Sequence, residues 1–396
     1  MELNSGQQKA LKIILDRYES GARFVTIAGY AGTGKSFLVR HAIQEMAARY
    51  DIDPETDIIY TAYTGKACEV LAKRGNNPTS TLHKLLYYSK LKPNGDYERT
   101  TVDYLPYKIV VVDEVSMVPP EMIKILASFN VFCIFLGDSF QIPPVSEDSD
   151  NGLLNSPHCT LTQIMRQEEG GEVVQVATKV RNMEAVPCMN GENVMILPKD
   201  SLTDGMLLWA DVIICGTNKK RQEINQRIRL LKNYDGDLVQ GEKIVCLHNN
   251  WHKFSDKGSC LMNGMQGTIV SEVEEYEERI PRKTRTSGVI PKYKFNFQTD
   301  EGEIFYGLTA DKNMMLNEKA SLSSNQIYSI VHSNYAFILP EYFTYGNAIT
   351  CHRAQGSQWA KVLVIEEKFP FDKTEHARWV YTSLTRTTDK VVWIKC

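Results

Sequence analysis

The sequence predicts an α/β protein of two parallel-sheet domains, with a small β-barrel inserted in the second and a β-hairpin inserted in the first. Three observations predict it. The stretch Phe24 to Ser36, FVTIAGYAGTGKS, sets a short β-branched run, a glycine-rich turn and the start of an amphipathic helix in that order. Apolar runs of strand length recur at 57–62, 109–112, 131–136, 211–215, 362–365 and 391–394. Such runs, with no polar alternation, suit strands buried on both faces of a parallel sheet. Residues from about 240 to 340 then change to short strand-like pieces (267–273, 293–298, 303–308) separated by turns such as Thr299-Asp300-Glu301-Gly302, the pattern of a small barrel.

The bulk numbers fit this size. At 396 residues the chain is too long for one ordinary core, and 43% hydrophobic with 23% charged residues is the balance of a water-soluble globular protein. A net charge of −3 gives no general affinity for polyanions, so any nucleic-acid surface has to be a local groove. Nine scattered cysteines without a C-x-x-C pair read as reduced thiols, neither a disulfide framework nor a zinc cluster. No apolar run has membrane-spanning length and MELNSGQQKA lacks the build of a signal peptide, so a cytoplasmic protein is expected.

Taken in order, residues 3–20 read as an amphipathic helix capped near Asn4 or Ser5, with Gln7 in its first turn. Next, Gly29, Gly34, Lys35 and Ser36 satisfy the phosphate-loop pattern G-x-x-x-x-G-K-[ST]. The glycines let backbone N–H groups of Ala31, Gly32, Thr33 and Gly34 turn inward, the helix start adds positive potential, and Lys35 supplies a point charge. Ser36 offers a hydroxyl to a magnesium ion. A nucleotide site is expected here.

The strand at 57–62 leads into Tyr63-Thr64-Gly65-Lys66-Ala67, a turn where open parallel sheets place ligand contacts, though a capped helix start explains it equally well. Ser80-Thr81-Leu82-His83 precedes an apolar helical run, and His83 alone reads as an ordinary partly buried histidine. Residues 86–105 carry Asn94-Gly95 between aromatic and β-branched stretches, a hairpin signal with Tyr97 near the tip; turn chemistry leaves its role open. The run IVVVDEVSMV ends its strand in Asp113 and Glu114, beside the phosphate loop in such a sheet, where one acid would hold magnesium and the other orient and deprotonate a water.

After the strand at 131–136, the segment GDSFQIPPV puts Gln141 on a proline-pinned loop suited to sensing a terminal phosphate. The segment Leu161 to Gln167, LTQIMRQ, closes the first half. A second sheet starts at 211–215, followed by Thr217-Asn218 and a basic helix, and its other strands come back only at 362–365 and 391–394. Inside the barrel, the acidic run from Glu272 to Glu278, followed by Arg279, Arg282, Lys283 and Arg285, reads as a solvated or mobile loop. Two polar constellations close the chain: YGNAITCHRAQGS (345–357) and YTSLTR (381–386).

In order and spacing, GYAGTGKS, YTGKA, STLH, VVVDEVSMV, LGDSFQIPPV, LTQIMRQ, the Thr-Asn turn, AITCHRAQGSQ and VYTSLTRT resemble the superfamily 1 DNA helicases of the RecD/Dda-like, 5′-to-3′ branch, over nearly the whole chain. The resemblance implies two RecA-like P-loop NTPase domains, 1–165 and 166–240 with 341–396, an SH3-like barrel at about 241–340 and ATP with Mg2+ between the domains. It implies that Gln7 reads adenine, that Lys35 and Ser36 take phosphates and metal, that Asp113 and Glu114 are metal partner and base, and that Gln141 is the phosphate sensor. Arg166 and Arg386 would be arginine fingers, and Gly356 joins the nucleotide-binding set. Thr64, Lys66, His83, Thr350 and His352 match segments lining the single-strand track, and the hairpin around Tyr97 stands where a strand-separating pin would be. Tyr63 stands where many members have proline; Thr64 and Lys66 remain to meet DNA. The expected activity is ATP-driven unwinding by a monomer at single-strand/duplex junctions, in replication, repair or recombination, with single-strand-binding or replication proteins as partners, in a bacterial or phage-infected cell. The alternatives are a translocase that strips bound proteins with little unwinding, and a nucleotide-switched single-strand-binding component.

Overall fold

The computed structural model describes residues 2–91, 97–143, 150–164, 171–234, 236–368 and 372–396. It divides into two compact units, one of Met1–Leu86, Thr101–Asn218 and Ile349–Cys396, the other of Tyr87–Thr100 and Lys219–Ala348.

The first unit contains two six-stranded sheets. One has the spatial order Thr79–Thr81, Ile58–Ala62, Ile109–Asp113, Phe132–Gly137, Phe24–Gly29, Cys159–Leu161, and every pairing in it is parallel. Its central strands are buried along almost their whole length, as the unbroken apolar runs require. The helices Ser5–Glu19 and Lys35–Arg49 pack on it through Ala10, Ile14, Leu38 and Ala42. Parallel strands put all their C-terminal ends on one edge, so Gly29, Ala62, Asp113 and Gly137 all open onto the same side.

The other sheet runs Ala348–Thr350, Val212–Cys215, Trp359–Ile365, Thr387–Lys395, Val194–Pro198, Met189–Asn190, parallel between its long members with an antiparallel edge at Met189–Asn190. Its core holds Ile196, Ile214, Val364 and Trp393 together with Trp379, Tyr381 and Leu384 of the helix Lys373–Leu384. The strands Val194–Pro198 and Cys159–Leu161 are additions to the sequence expectation; each is short, and the latter is only partly buried.

In the second unit an antiparallel sheet runs Glu274–Arg279, Val289–Thr299, Gln266–Ile269, Lys243–Cys246, Phe343–Tyr345, with Ile304–Asp311 also paired to Val289–Thr299. Phe295, Phe297, Phe305 and Phe343 fill its core. The acidic run is thus a paired strand over Glu274–Arg279, where a loop was expected. Its charges lie on an edge and meet cations across the ladder, Glu274 with Lys294 at 3.2 Å and Glu278 with the buried Lys292 at 3.6 Å. Phe343–Tyr345 also belongs to this sheet, past the expected boundary near 340. Tyr87–Leu91 and Tyr97–Thr101 form a two-stranded sheet; the Asn94-Gly95 turn lies outside the described residues, and so does the side chain of Tyr97.

Candidate nucleotide cleft

The phosphate loop is shaped by its glycines. Gly32 and Gly34 have φ of +78° and +76°, a region closed to most side chains, and Gly34 starts the helix Lys35–Arg49 with no side-chain cap on its amides. A Cβ on Gly29 would stand 2.7 Å from Thr33 Oγ1, so that position has no room for one. Lys35 Nζ donates to the carbonyls of Gly29 at 2.6 Å and Tyr30 at 3.3 Å, and Thr33 Oγ1 donates to Tyr30 O at 2.8 Å.

Gln7 is fully buried against this loop. Asn4 Oδ1 accepts from Gln7 N, Gln7 Oε1 accepts from Asn4 N, and Gln7 Nε2 donates to Thr33 O at 3.2 Å. One carboxamide therefore closes the helix cap and ties the first helix to the phosphate loop.

Asp113 ends its strand and accepts the Glu114 N–H at 2.9 Å. Burial, with Glu114 beside it, pushes its carboxyl up to about 6, against the pull of Lys35. Glu114 has a φ of +50°, uncommon for a residue with a side chain and the kind of local strain that collects at functional sites. Gln141 is 6% exposed, and its Oε1 is buried with no hydrogen-bond partner among the described residues. The loop bearing it is pinned from the second sheet: Ile142 N donates to Thr382 Oγ1 at 2.9 Å and Gln355 Nε2 donates to Ile142 O at 2.9 Å.

Gln7, Ala31, Gly32, Thr33, Gly34, Lys35, Ser36, Asp113, Glu114, Gln141 and Arg386 line one cleft of about 480 Å³ within the first unit. Arg386, 3% exposed, donates from Nε to Thr382 O at 3.1 Å and from Nη2 to Thr385 Oγ1 at 3.2 Å. The cleft therefore combines a helix start, a lysine and an arginine with two carboxyls and a hydroxyl, a set able to bind a polyphosphate. Ser36 and Asp113 supply the hard oxygen donors that suit magnesium.

The cleft also holds residues to which the sequence reading gave no role, two of them, Asp138 and Tyr381, inside the strings GDSFQIPPV and YTSLTR. Asp138 follows the strand Phe132–Gly137 as Asp113 follows its own, and burial raises its carboxyl. Tyr381 and Arg181 come from helices; the Arg181 guanidinium lies 3.7 Å from the Tyr30 ring centroid. Arg74, at the end of the helix Gly65–Lys73, reaches the same cleft and donates to Gln358 Oε1 at 3.1 Å. Asp138 and Tyr381 fall within strings noted in the sequence, whereas Arg74 and Arg181 have no local signal.

Arg166 lies outside the described residues. Gly356 is not part of the cleft lining. With a φ of +74°, it faces the first sheet, where a Cβ would stand 3.2 Å from Thr64 Oγ1.

Of the candidate nucleic-acid residues, Thr64 lies at that contact. Thr64 Oγ1 caps the helix Gly65–Lys73 through the Ala67 N–H, so the capped-start reading of this turn holds alongside any ligand role. Lys66 is half-buried in the first turn, and His83 packs at 5.2 Å from the ring of Tyr63. Thr350 begins the short helix Cys351–Ala354. Burial holds the His352 imidazole below the usual range, while a hydrogen bond to the Pro143 backbone pulls the other way.

Residues 2–189 match the model of an AAA domain family, and residues 345–394 match that of the UvrD-like helicase C-terminal domain. Among curated proteins, the chain is similar to the ATP-dependent DNA helicase dda of Enterobacteria phage T4, 30% identical over 273 residues, covering 62% of this chain and 61% of the relative. The ATP-dependent RecD2 DNA helicase of Deinococcus radiodurans is 26% identical over 394 residues, 95% of this chain and 47% of its own length. The chain thus spans about three fifths and about half of these relatives. Among solved structures, two coordinating Pif1 helicases at forked double-stranded DNA match at 19% identity with a TM-score of 0.56, over 100% of this chain and 92% of that one. Bacteroides Pif1 bound to single-stranded DNA matches at 17% identity and a TM-score of 0.55, with the same coverage. At these identities the structural likeness speaks for the fold, a RecA-like α/β architecture.

Proposed function

We propose that this chain belongs to the superfamily 1 helicases of the RecD/Dda-like branch and is an ATP-dependent DNA helicase that moves 5′ to 3′ along single-stranded DNA. The observation that carries the reading is the single cleft in which Lys35, Asp113, Glu114 and Gln141 of the first sheet face Arg386 of the second. A site shared by two sheets can convert hydrolysis into relative motion, because the charge it must stabilise sits between two bodies.

In this reading Lys35 leaves the carbonyls of Gly29 and Tyr30 for the phosphates. Ser36 and Asp113 hold magnesium, which would draw off charge from the phosphate oxygens. Glu114 orients and deprotonates the attacking water, and Gln141, with its unpaired Oε1, takes its place between that water and the terminal phosphate. Arg386, with two of its five donors on Thr382 and Thr385, turns its remaining donors to the transferring group. Arg166 would act as a second finger. Thr64, Lys66 and His83 on one side and Thr350 and His352 on the other grip the strand alternately, through phosphate contacts and stacking. The second unit supplies an SH3-like barrel, and Tyr97 on its hairpin is the strand-separating pin.

The test is unwinding of 5′-tailed against 3′-tailed duplexes, with ATP turnover measured alongside. Unwinding of the 5′-tailed duplex, with turnover stimulated by single strands, is the expected result. A preference for the 3′ tail, or turnover indifferent to DNA, would overturn the reading. Trimming residues 92–97 should abolish unwinding and spare turnover; unwinding that survives the trim removes the pin.

A further inference from the structure

One residue joins the two walls of the cleft, and neither the phosphate loop nor the arginine accounts for it. The Tyr381 hydroxyl accepts the Ala31 backbone N–H at 2.9 Å and donates to Asp138 Oδ2 at 2.6 Å. Its ring is 1% exposed and stands edge-on to Phe140, with centroids 5.3 Å apart and planes at 89°. The other oxygen of Asp138 accepts the Phe140 N–H at 3.0 Å. A single phenol thus touches the phosphate loop, the loop that leads to Gln141 and, through its own backbone, the helix that leads to Arg386.

Ala31 lies in the phosphate loop, and its donor is taken by a side-chain oxygen. An amide has one hydrogen, so a phosphate oxygen can take it only if the phenol lets go. Asp138 sharpens the competition, since a buried carboxylate lining the same cleft repels an incoming polyanion. Burial raises the Asp138 carboxyl, and Lys35 and the phenol hydrogen bond pull the other way, toward the charged form. Neighbouring contacts make the link stiff, because Thr382, next to Tyr381, accepts the Ile142 N–H.

We propose that Tyr381 is a positioning residue that holds the nucleotide-free phosphate loop: its hydroxyl stands in for a ligand oxygen at the Ala31 N–H, and nucleotide binding displaces it. Release of the phenol is then felt at Asp138 and in the helix before Arg386, so filling the loop signals to the opposite wall before any bond is broken. The proposal rests on the nucleotide reading above and adds a gate to it.

Tyr381→Phe keeps the ring and its packing on Phe140 and removes only the hydroxyl. Equilibrium titration with the fluorescent analogue mant-ATP and magnesium, on wild type, Tyr381→Phe and Asp138→Asn, tests the idea. The expected result is a three- to tenfold tighter Kd for Tyr381→Phe, with a lower melting temperature for the empty protein and a lower KM for ATP. Asp138→Asn, which removes the buried charge and keeps an acceptor, should tighten binding in the same direction and covers the case in which Tyr381→Phe misfolds. Unchanged or weaker binding in the folded variants overturns the proposal, because a purely structural tyrosine can only lose affinity when cut back. If wild type itself failed to bind mant-ATP, the nucleotide reading would fall first, and the two failures are separable in one titration.

Discussion

The two walls of the cleft are organised differently. On the wall from the first sheet, polar side chains spend their hydrogen bonds on the phosphate loop: Gln7 on Thr33, Lys35 on Gly29 and Tyr30, Thr33 on Tyr30. On the wall from the second sheet, Arg386 spends its own on the helix end that carries it. The first wall is a preformed cradle, and the second brings to the cleft lining an arginine with donors already engaged on its own segment. A difference of this kind separates binding from chemistry, because a group that stabilises only the transition state raises turnover without tightening the ground state.

Mutations should divide along the same line. Arg386→Ala is expected to have the largest effect, lowering ATP turnover by about 10³–10⁵ while leaving the Kd for mant-ATP nearly unchanged. A collapse of affinity instead would mean that the second wall also holds the ground state, and the contrast would vanish. Lys35→Ala should behave in the opposite sense, weakening nucleotide binding roughly 10- to 100-fold, as the loss of a charge-assisted hydrogen bond predicts. Equilibrium titration of that variant measures it directly.

Next in size is a pH effect confined to the first wall. The folded-state pKa of Asp113 is raised to about 6 from an ordinary value of 3.8, chiefly by burial. Its contribution to stability is therefore complete below about pH 4 and is lost as pH rises through about 6. Asp113→Asn should flatten the melting temperature over that window and stabilise the empty protein at pH 7 by roughly 2 kcal/mol. A pH profile parallel to wild type would show that Asp113 is not the group titrating. Smallest is the hydrogen bond that crosses the cleft from Arg74 to Gln358. Arg74→Ala and Gln358→Ala should each cost about 1 kcal/mol, and a double-mutant cycle should return a coupling of about 0.5 kcal/mol or more. Full additivity would leave the two walls joined there by proximity alone.

The first wall could be read from sequence because its chemistry is local. Gly29 to Ser36 and the pair Asp113 and Glu114 are short strings whose spacing already states a geometry, and the apolar runs before them fix their strands. The second wall could not, apart from what resemblance lent to Arg386. Tyr381 and Arg181 sit in amphipathic helices where any polar residue passes for a solvent face, and only the packing of the helix Lys373–Leu384 turns Tyr381 inward. The fold was legible to the same degree. Buried strands announce themselves, whereas Glu274–Arg279, an edge strand made of charge, carries none of the usual marks, and Val194–Pro198 buries only Val194 and Ile196 and ends in proline. Gly356, which lies off the cleft lining, shows a related limit: a glycine in a polar loop fits a phosphate contact and a close approach to Thr64 equally well.

Ala31 and Tyr381, joined by one hydrogen bond, are 350 residues apart in the chain. During synthesis at about 5–20 residues per second, the phosphate loop leaves the ribosome roughly 20–70 s before its tyrosine exists. Through that interval the nascent protein has a cradle with neither its latch nor its arginine. On the proposed reading, the order of translation gives a chain that takes up nucleotide early and spends it only when the last helix has docked.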